Sequence, residues 1–198
     1  NPHSKNWFLL ATEVDWTIAR SKQHHITLEL LELLGWGWVF GVEFFELGGG
    51  DPLRTVEFAW IPNEHGLPGN AILSHRHLWE IEIIALDERD SWYVQSPKQD
   101  RGVHCIGGRI LIAALLYTEK GPLGCAAVHY ESESNPDHKN QQTRRRMKLL
   151  VQEYGTIVIG LDLSTNTLSE AHIRQTQKRN QPEFCDPSFS AFAKYDFA

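Results

Sequence analysis

One short apolar run, Thr156–Thr165 with the sequence TIVIGLDLST, constrains the fold more than any other stretch of the chain. Thr156–Ile159 are β-branched or apolar, and a continuous run of this kind predicts a buried parallel strand. Asp162 then stands between Leu161 and Leu163, which offer it no polar partner. A carboxylate in such surroundings is paired or binds a metal, and ligands collect beyond the carboxyl ends of parallel strands. The run therefore predicts an α/β fold with Asp162 at a functional site.

Two other apolar runs end in the same way. Gly124–His129 is small and apolar and ends at a histidine, with Glu131 shortly after it. Trp7–Ala11 is apolar and is followed by Glu13. Three strand-like runs thus each end in an acid or a histidine. This recurrence is the strongest functional signal in the chain.

The remaining pattern predicts an α/β (α+β) fold with a mixed sheet covered by helices. Gly108–Tyr117 and Leu123–His129 indicate an antiparallel hairpin, and Trp38–Phe45 indicates a further strand. Apolar residues at helical spacing predict helices over Ile18–Leu34, with Gly35 as the C-cap, and over Asn140–Tyr154. Interleaved strands and helices together with a hairpin favour a mixed β-sheet flanked by helices. A helix that is polar on most faces is also predicted over Leu168–Gln181, and a last helix over Asp186–Tyr195 with Pro187 at its first position.

Composition narrows the classes of protein that fit. The chain has 198 residues and is 41% hydrophobic, which suits one globular domain. It contains no apolar run long enough to span a membrane. The net charge of −6 disfavours a broad surface for duplex nucleic acid. Three cysteines without metal-type spacing favour a reducing compartment such as the cytoplasm.

Five segments in this order resemble the endonuclease/exonuclease/phosphatase superfamily of metal-dependent phosphoesterases. They are ATEVDW around Glu13, GLPGNAILS at Gly66–Ser74, GGRILIAAL at Gly107–Leu115, AVHYES at Ala127–Ser132 and VIGLDLS at Val158–Ser164. The resemblance covers Phe8 to about Phe192. It implies a DNase I-like four-layer sandwich and hydrolysis of a phosphoester with Mg²⁺ or Mn²⁺.

The resemblance assigns three residues to the reaction itself. Glu13 falls on the metal-binding glutamate, His129 on a catalytic histidine and Asp162 on a catalytic aspartate. Mg²⁺ often takes only one or two protein carboxylates and keeps water and substrate phosphate as its other ligands. Structural alternatives stay open: Glu13 as an acid at a helix N-terminus, His129 as a core histidine and Asp162 as a turn or cap residue.

Three further residues are assigned to the substrate or to the catalytic motif. Asn70 and Arg109 would hold the phosphate, Arg109 by a charge-assisted contact. Ser164 stands where the family has an asparagine and would replace it as a hydroxyl donor. The alternatives are a turn-stabilising amide for Asn70, an ion pair with a nearby acid for Arg109 and a capping role for Ser164.

The chain also departs from the family pattern. It has no strand carrying an asparagine upstream of Glu13, and its single Asp-His pair, Asp137–His138, is not near the C-terminus. We therefore expect residues 1–198 to form one domain of this kind that is truncated at both ends. The first hypothesis is phosphoester hydrolysis, as a phosphodiesterase, nuclease or phosphatase. The alternative is a catalytically impaired domain of the same fold that binds a phosphorylated ligand or a protein partner.

Overall fold

The computed structural model describes residues 7–46, 57–58, 60–86, 105–130, 150 and 152–162. Within these residues the strands are β1 (Phe8–Trp16), β2 (Gly37–Val42), β3 (Phe44–Glu46), β4 (Leu67–Ser74), β5 (Trp79–Ala85), β6 (Cys105–Gly107), β7 (Ile110–Thr118), β8 (Gly121–His129) and β9 (Ile157–Asp162). One α-helix, α1 (Ile26–Leu34), follows a short 3-10 turn at Ala19–Ser21. No helix of these segments is long and apolar enough to cross a membrane.

The strands form two main sheets and a small ribbon. The first sheet has the order β1-β4-β2 and is antiparallel, and β3 pairs with β6 as a two-stranded ribbon. The second sheet has the order β5-β7-β8-β9. In this sheet β5, β7 and β8 are antiparallel, whereas β8 and β9 are parallel. The hairpin of β7 and β8 and the mixed sheet predicted from the sequence are confirmed.

The two sheets pack face to face with helical residues on their outer sides. Residues of both sheets form the buried layer between them, among them Leu10, Val39, Ile72, Ile112 and Ala127. On the outer side of the first sheet, α1 packs through Ile26 and Leu30. On the outer side of the second sheet lie the helical residues Leu150 and Tyr154. The predicted sandwich flanked by helices is confirmed.

The predicted helix over Ile18–Leu34 is wrong in its first half. Lys22 and Gln23 have positive φ angles, which a helix does not tolerate, so α1 begins only at Ile26. The helix is capped by His25, whose Nδ1 accepts a hydrogen bond from the backbone N–H of Leu28 at 3.3 Å. The end is as predicted, with Gly35 in the left-handed conformation.

Three strand predictions also need correction. Trp38–Phe45 is not one strand, because β2 and β3 belong to different sheets and are separated at Glu43. The first strand does not end at Ala11 but continues to Trp16. The run at Thr156–Ile159 does form a parallel strand, but β9 is half-buried rather than buried, since within the described segments it is the edge of its sheet. The helices predicted over Leu168–Gln181 and Asp186–Tyr195, and most of Asn140–Tyr154, lie outside the described residues.

A close contact between the sheets fixes β9 against β1. A Cβ atom added to Gly160 would lie 2.4 Å from Cβ of Leu10, a distance that real Cβ contacts do not show. Glycine at this position therefore lets β9 approach β1. This approach brings Asp162, two residues further along β9, toward the half of β1 that carries Glu13.

We expect Gly160→Ala to lower the free energy of unfolding by about 1–3 kcal/mol, because the added methyl group must push β9 away from Leu10. Urea denaturation followed by circular dichroism measures the change. Gly37→Ala is the matched control, since the same methyl group would lie 3.7 Å from its nearest neighbour, the carbonyl oxygen of Ser74. An equal loss in both variants would contradict the close-contact explanation.

Candidate active site

A β-bulge in β1 places Glu13 at the site. Ala11 pairs with Ala71 and Val14 pairs with Gly69, so Thr12 and Glu13 together face the single residue Asn70 on β4. The extra residue gives Glu13 a positive φ of 54°. Bulges of this kind bend a strand and redirect a side chain, and they recur beside active sites. The side chain of Glu13 is 69% exposed, so its carboxylate is open to solvent.

His129 is the last residue of β8 and faces Glu13. Its Nε2 lies 3.7 Å from Oε1 of Glu13, while only 3% of the residue is exposed. One edge of the imidazole ring thus contacts the solvent-facing carboxylate, and the rest of the ring is buried. The two residues come close because β1 and β8 belong to the two packed sheets and contact each other, and because the bulge redirects Glu13.

Asp162 lies beside His129 because β8 and β9 are parallel. The two residues are direct partners in the strand register, each at the last position of its strand. The backbone N–H of Tyr130 donates a hydrogen bond of 2.9 Å to the carbonyl oxygen of Asp162, which holds the two strand ends level. Polar groups at the carboxyl ends of adjacent parallel strands collect at one edge of a sheet.

A buried carboxylate that the sequence interpretation did not single out lies behind His129. Glu43, at the junction of β2 and β3, is only 4% exposed. Its Oε1 accepts a hydrogen bond of 2.9 Å from Nδ2 of Asn70, and its Oε2 accepts one of 2.9 Å from Nη1 of Arg109. The signal was present in the sequence: an acid stands inside the apolar run FGVEFF, and a buried carboxylate needs partners.

Arg109 joins this carboxylate to the histidine. Its Nη1 lies 2.9 Å from Oε2 of Glu43 and 2.8 Å from Nδ1 of His129. The guanidinium carbon lies 4.8 Å from the centre of the Phe44 ring, a cation–π distance. Arg109 is placed by the preceding glycines, since a Cβ on Gly107 would lie 2.2 Å from the carbonyl oxygen of Glu43. The ion pair proposed as an alternative for Arg109 is therefore present.

Asn70 is fully buried and supports Glu43. Its Nδ2 donates to Oε1 of Glu43 and, at 3.1 Å, to the carbonyl oxygen of Ile110. Its Oδ1 is a buried acceptor that receives no hydrogen bond from the described residues. Both amide hydrogens are used inside the protein, and the remaining polar atom, Oδ1, is an acceptor that would not bind the oxygens of a phosphate. Phosphate binding by Asn70 stays a prediction that this geometry does not favour.

The sequence-predicted residues thus fall into three groups. Glu13 lies beside His129, and Asp162 is the register partner of His129 on the neighbouring strand. Asn70 and Arg109 lie directly behind His129, linked through Glu43. Ser164 lies outside the described residues, and its predicted role is not tested.

Other reactive groups in the described segments do not compete with this site. Cys125 is fully buried, and burial raises the pKa of its thiol to about 12, so it is a poor nucleophile at neutral pH. In the part of the chain that the structure describes, no three His, Cys, Asp or Glu side chains lie close enough to form a metal cage.

The sequence of this chain matches no protein-family profile and no curated protein. Solved structures do match in fold. The human Nocturnin catalytic domain with bound sulfate superposes with a TM-score of 0.51 at 16% identity, over 85% of this chain and 55% of that domain. ANGEL2, described as a 2′,3′-cyclic phosphatase, superposes with a TM-score of 0.47 at 14% identity, over 86% of this chain and 43% of the ANGEL2 chain. A Bacteroides vulgatus endonuclease/exonuclease/phosphatase superposes with a TM-score of 0.46 at 10% identity, over 87% of this chain and 71% of the bacterial chain.

The described part of the chain has the fold of endonuclease/exonuclease/phosphatase domains, as the resemblance implied. The likeness at 16% identity concerns the fold, two facing sheets with helical residues on their outer sides. The chain spans about half the length of the Nocturnin domain that it matches, 55%.

Because Glu13 adopts a left-handed backbone conformation, substitutions there separate backbone strain from loss of the carboxylate. We expect Glu13→Val to lower the free energy of unfolding by about 1–3 kcal/mol, since a β-branched residue is strained at this φ. Glu13→Gly is expected to leave the free energy unchanged or to raise it. Thr12→Val, in the same bulge, is the control and should have a much smaller effect. Thermal unfolding of the three variants checks the order, and a stable Glu13→Val variant would contradict the bulge geometry.

Proposed function

We propose that this chain catalyses metal-dependent hydrolysis of a phosphoester at a site formed by Glu13, His129 and Asp162. The observation that carries the proposal is the convergence of these groups. The exposed carboxylate of Glu13 lies 3.7 Å from Nε2 of His129, and Asp162 is level with His129 at the end of the neighbouring strand. An acid open to solvent, a histidine and a second acid suffice for metal binding, hydrogen-bond donation and orientation of water.

Glu13 is the residue that would hold Mg²⁺ or Mn²⁺. These hard cations prefer oxygen ligands, and Mg²⁺ commonly takes one or two carboxylates while keeping several waters. A single exposed carboxylate without a surrounding cage, as found among the described residues, fits that preference. When bound, the metal would neutralise charge on the phosphoryl oxygens.

His129 and Asp162 would act on the substrate and on the attacking water. Nε2 of His129 lies beside the solvent-exposed carboxylate of Glu13 and would donate a hydrogen bond to a phosphoryl oxygen, which gains charge in the transition state. Asp162 would orient or deprotonate the water. Arg109 lies behind His129 and adds positive charge close to the proposed phosphate position. Ser164 would contribute a hydroxyl group next to Asp162.

The class of substrate rests on the fold and on this chemistry. Human Nocturnin, the relative with a TM-score of 0.51, was solved with a bound sulfate, an anion with the shape of a phosphate group. A tetrahedral anion is also what a metal beside a histidine donor would bind here. The net charge of −6 favours a small or single-stranded phosphoester over duplex nucleic acid.

A second candidate is a domain of the same fold that binds a phosphorylated ligand or a protein partner without hydrolysing it. Two features favour it. Ser164 replaces the asparagine of the family motif, and both amide hydrogens of Asn70 are used by Glu43 and Ile110. The first feature leaves the site without the amide of the family's asparagine, and the second leaves Asn70 without a hydrogen to donate to a phosphate.

Hydrolysis of bis-(p-nitrophenyl) phosphate in the presence of Mg²⁺ or Mn²⁺ tests the proposed function. We expect turnover that is abolished by EDTA and reduced by roughly 10²–10⁴-fold in His129→Gln and in Asp162→Asn, the range for loss of a general acid or base. The release of p-nitrophenolate, followed by absorbance, gives the rate.

His75→Gln is the matched control. His75 follows β4 and has its ring 6.5 Å from Trp36, and it takes no part in the proposed site, so its variant should retain the wild-type rate. Metal-dependent binding of the diester without turnover would support the second candidate. If the wild-type chain neither hydrolyses nor binds the diester, both candidate functions are contradicted.

A further inference from the structure

The contacts of Arg109 determine which nitrogen of His129 carries its hydrogen. Nη1 of Arg109 lies 2.8 Å from Nδ1 of His129. A guanidinium nitrogen has only hydrogens to offer and cannot accept, so a bond at this distance requires Nδ1 to be the acceptor. In a histidine whose Nδ1 accepts, the ring hydrogen is on Nε2. Nε2 is the nitrogen that faces Glu13, whose carboxylate is exposed to solvent.

Glu43 would favour the opposite arrangement if it acted alone. Its Oε2 lies 3.5 Å from Nδ1 of His129 and, as an acceptor, would attract a hydrogen to Nδ1. The shorter contact of Oε2, however, is 2.9 Å to Nη1 of Arg109. The guanidinium therefore bridges the carboxylate and the ring. As a result, Nδ1 of His129 faces a hydrogen-bond donor, Arg109, and not the acceptor Glu43.

The position of Arg109 is itself fixed by surroundings that cannot easily rearrange. Oε1 of Glu43 accepts a hydrogen bond from Asn70. The backbone N–H of Glu43 donates to the carbonyl oxygen of Pro68 at 3.0 Å, and its carbonyl oxygen accepts from the N–H of Gly108 at 2.9 Å. The guanidinium also lies over Phe44. A planar fork held by a buried carboxylate and a ring has little rotational freedom.

We propose that Arg109, anchored by Glu43, is a positioning residue that fixes His129 in the Nε2–H tautomer, so that the site presents a hydrogen-bond donor. The inference rests on the proposed function in one respect, namely that the Nε2–H group is aimed at a phosphoryl oxygen. The role differs from direct phosphate binding by Arg109, because it acts through the histidine.

The tautomer can be measured without any turnover, by ¹⁵N NMR of the wild-type chain with ¹⁵N-labelled histidine. Two-bond correlations from the ring hydrogens show which ring nitrogen carries a hydrogen. We expect His129 in the Nε2–H form. With arginine labelled as well, we expect a scalar coupling across the bond between Nη1 of Arg109 and Nδ1 of His129. A ring hydrogen on Nδ1 would overturn the proposal in the wild-type protein.

Arg109→Met tests the cause. With the guanidinium removed, Oε2 of Glu43 remains as the acceptor facing Nδ1. We therefore expect the two-bond ¹⁵N correlations of His129 to change toward those of the Nδ1–H form. Arg109→Lys keeps a donor and is expected to restore the Nε2–H form. An unchanged pattern in Arg109→Met would overturn the proposal.

Arg20→Met is the matched control, since Arg20 is also held by buried acids. Its Nη2 and Nη1 lie 2.6 Å from Asp15 and 2.7 Å from Glu46, away from His129. This variant should leave the His129 pattern unchanged, and a tautomer change in it would show a general structural effect and overturn the proposal. A wild-type chain with the expected tautomer and no hydrolysis would contradict the proposed function alone.

Discussion

The buried carboxylate of Glu43 is the interaction on which this end of the molecule depends. Placing a charge in an interior is costly unless it is paired and hydrogen-bonded, and removing one partner of such a pair typically costs about 3–5 kcal/mol. Glu43 meets this requirement with Asn70 from β4 and Arg109 from the start of β7. Arg109 in turn contacts His129 at the end of β8. One carboxylate at the β2–β3 junction thus joins both sheets of the sandwich behind the site.

The solvent-facing half of the site depends on backbone geometry instead. The bulge in β1 redirects Glu13 toward His129, and the parallel pairing of β8 with β9 sets Asp162 level with the histidine. Gly160 allows the close approach of β9 to β1. The hydrogen-bonded groups behind His129 and the backbone of β1 and β9 thus place the histidine beside an exposed acid. The proposed function rests on this arrangement.

The apolar runs were sufficient to predict the mixed sheet and the β7–β8 hairpin, and the family resemblance implied the sandwich. His129 and Asp162 do stand at strand ends, as their apolar runs predicted, whereas Glu13 lies inside β1. The sequence was not sufficient for the helix start, since positive φ angles at Lys22 and Gln23 leave no mark in hydrophobic periodicity. The bulge at Glu13 and the break at Glu43 were missed for a related reason. Both depend on strand register across the sheets, which a local pattern does not contain.

Paramagnetic broadening by Mn²⁺ tests whether Glu13 and His129 form one metal-binding site, on which the proposed phosphoester hydrolysis depends. Histidine ring signals of the ¹⁵N-labelled chain would be followed as Mn²⁺ is added at low stoichiometry. We predict that the His129 signals broaden before those of His75 and His77, and that Glu13→Gln abolishes this selectivity. Equal broadening of all histidines, or selective broadening of His129 that survives Glu13→Gln, would contradict a metal site at Glu13 and His129.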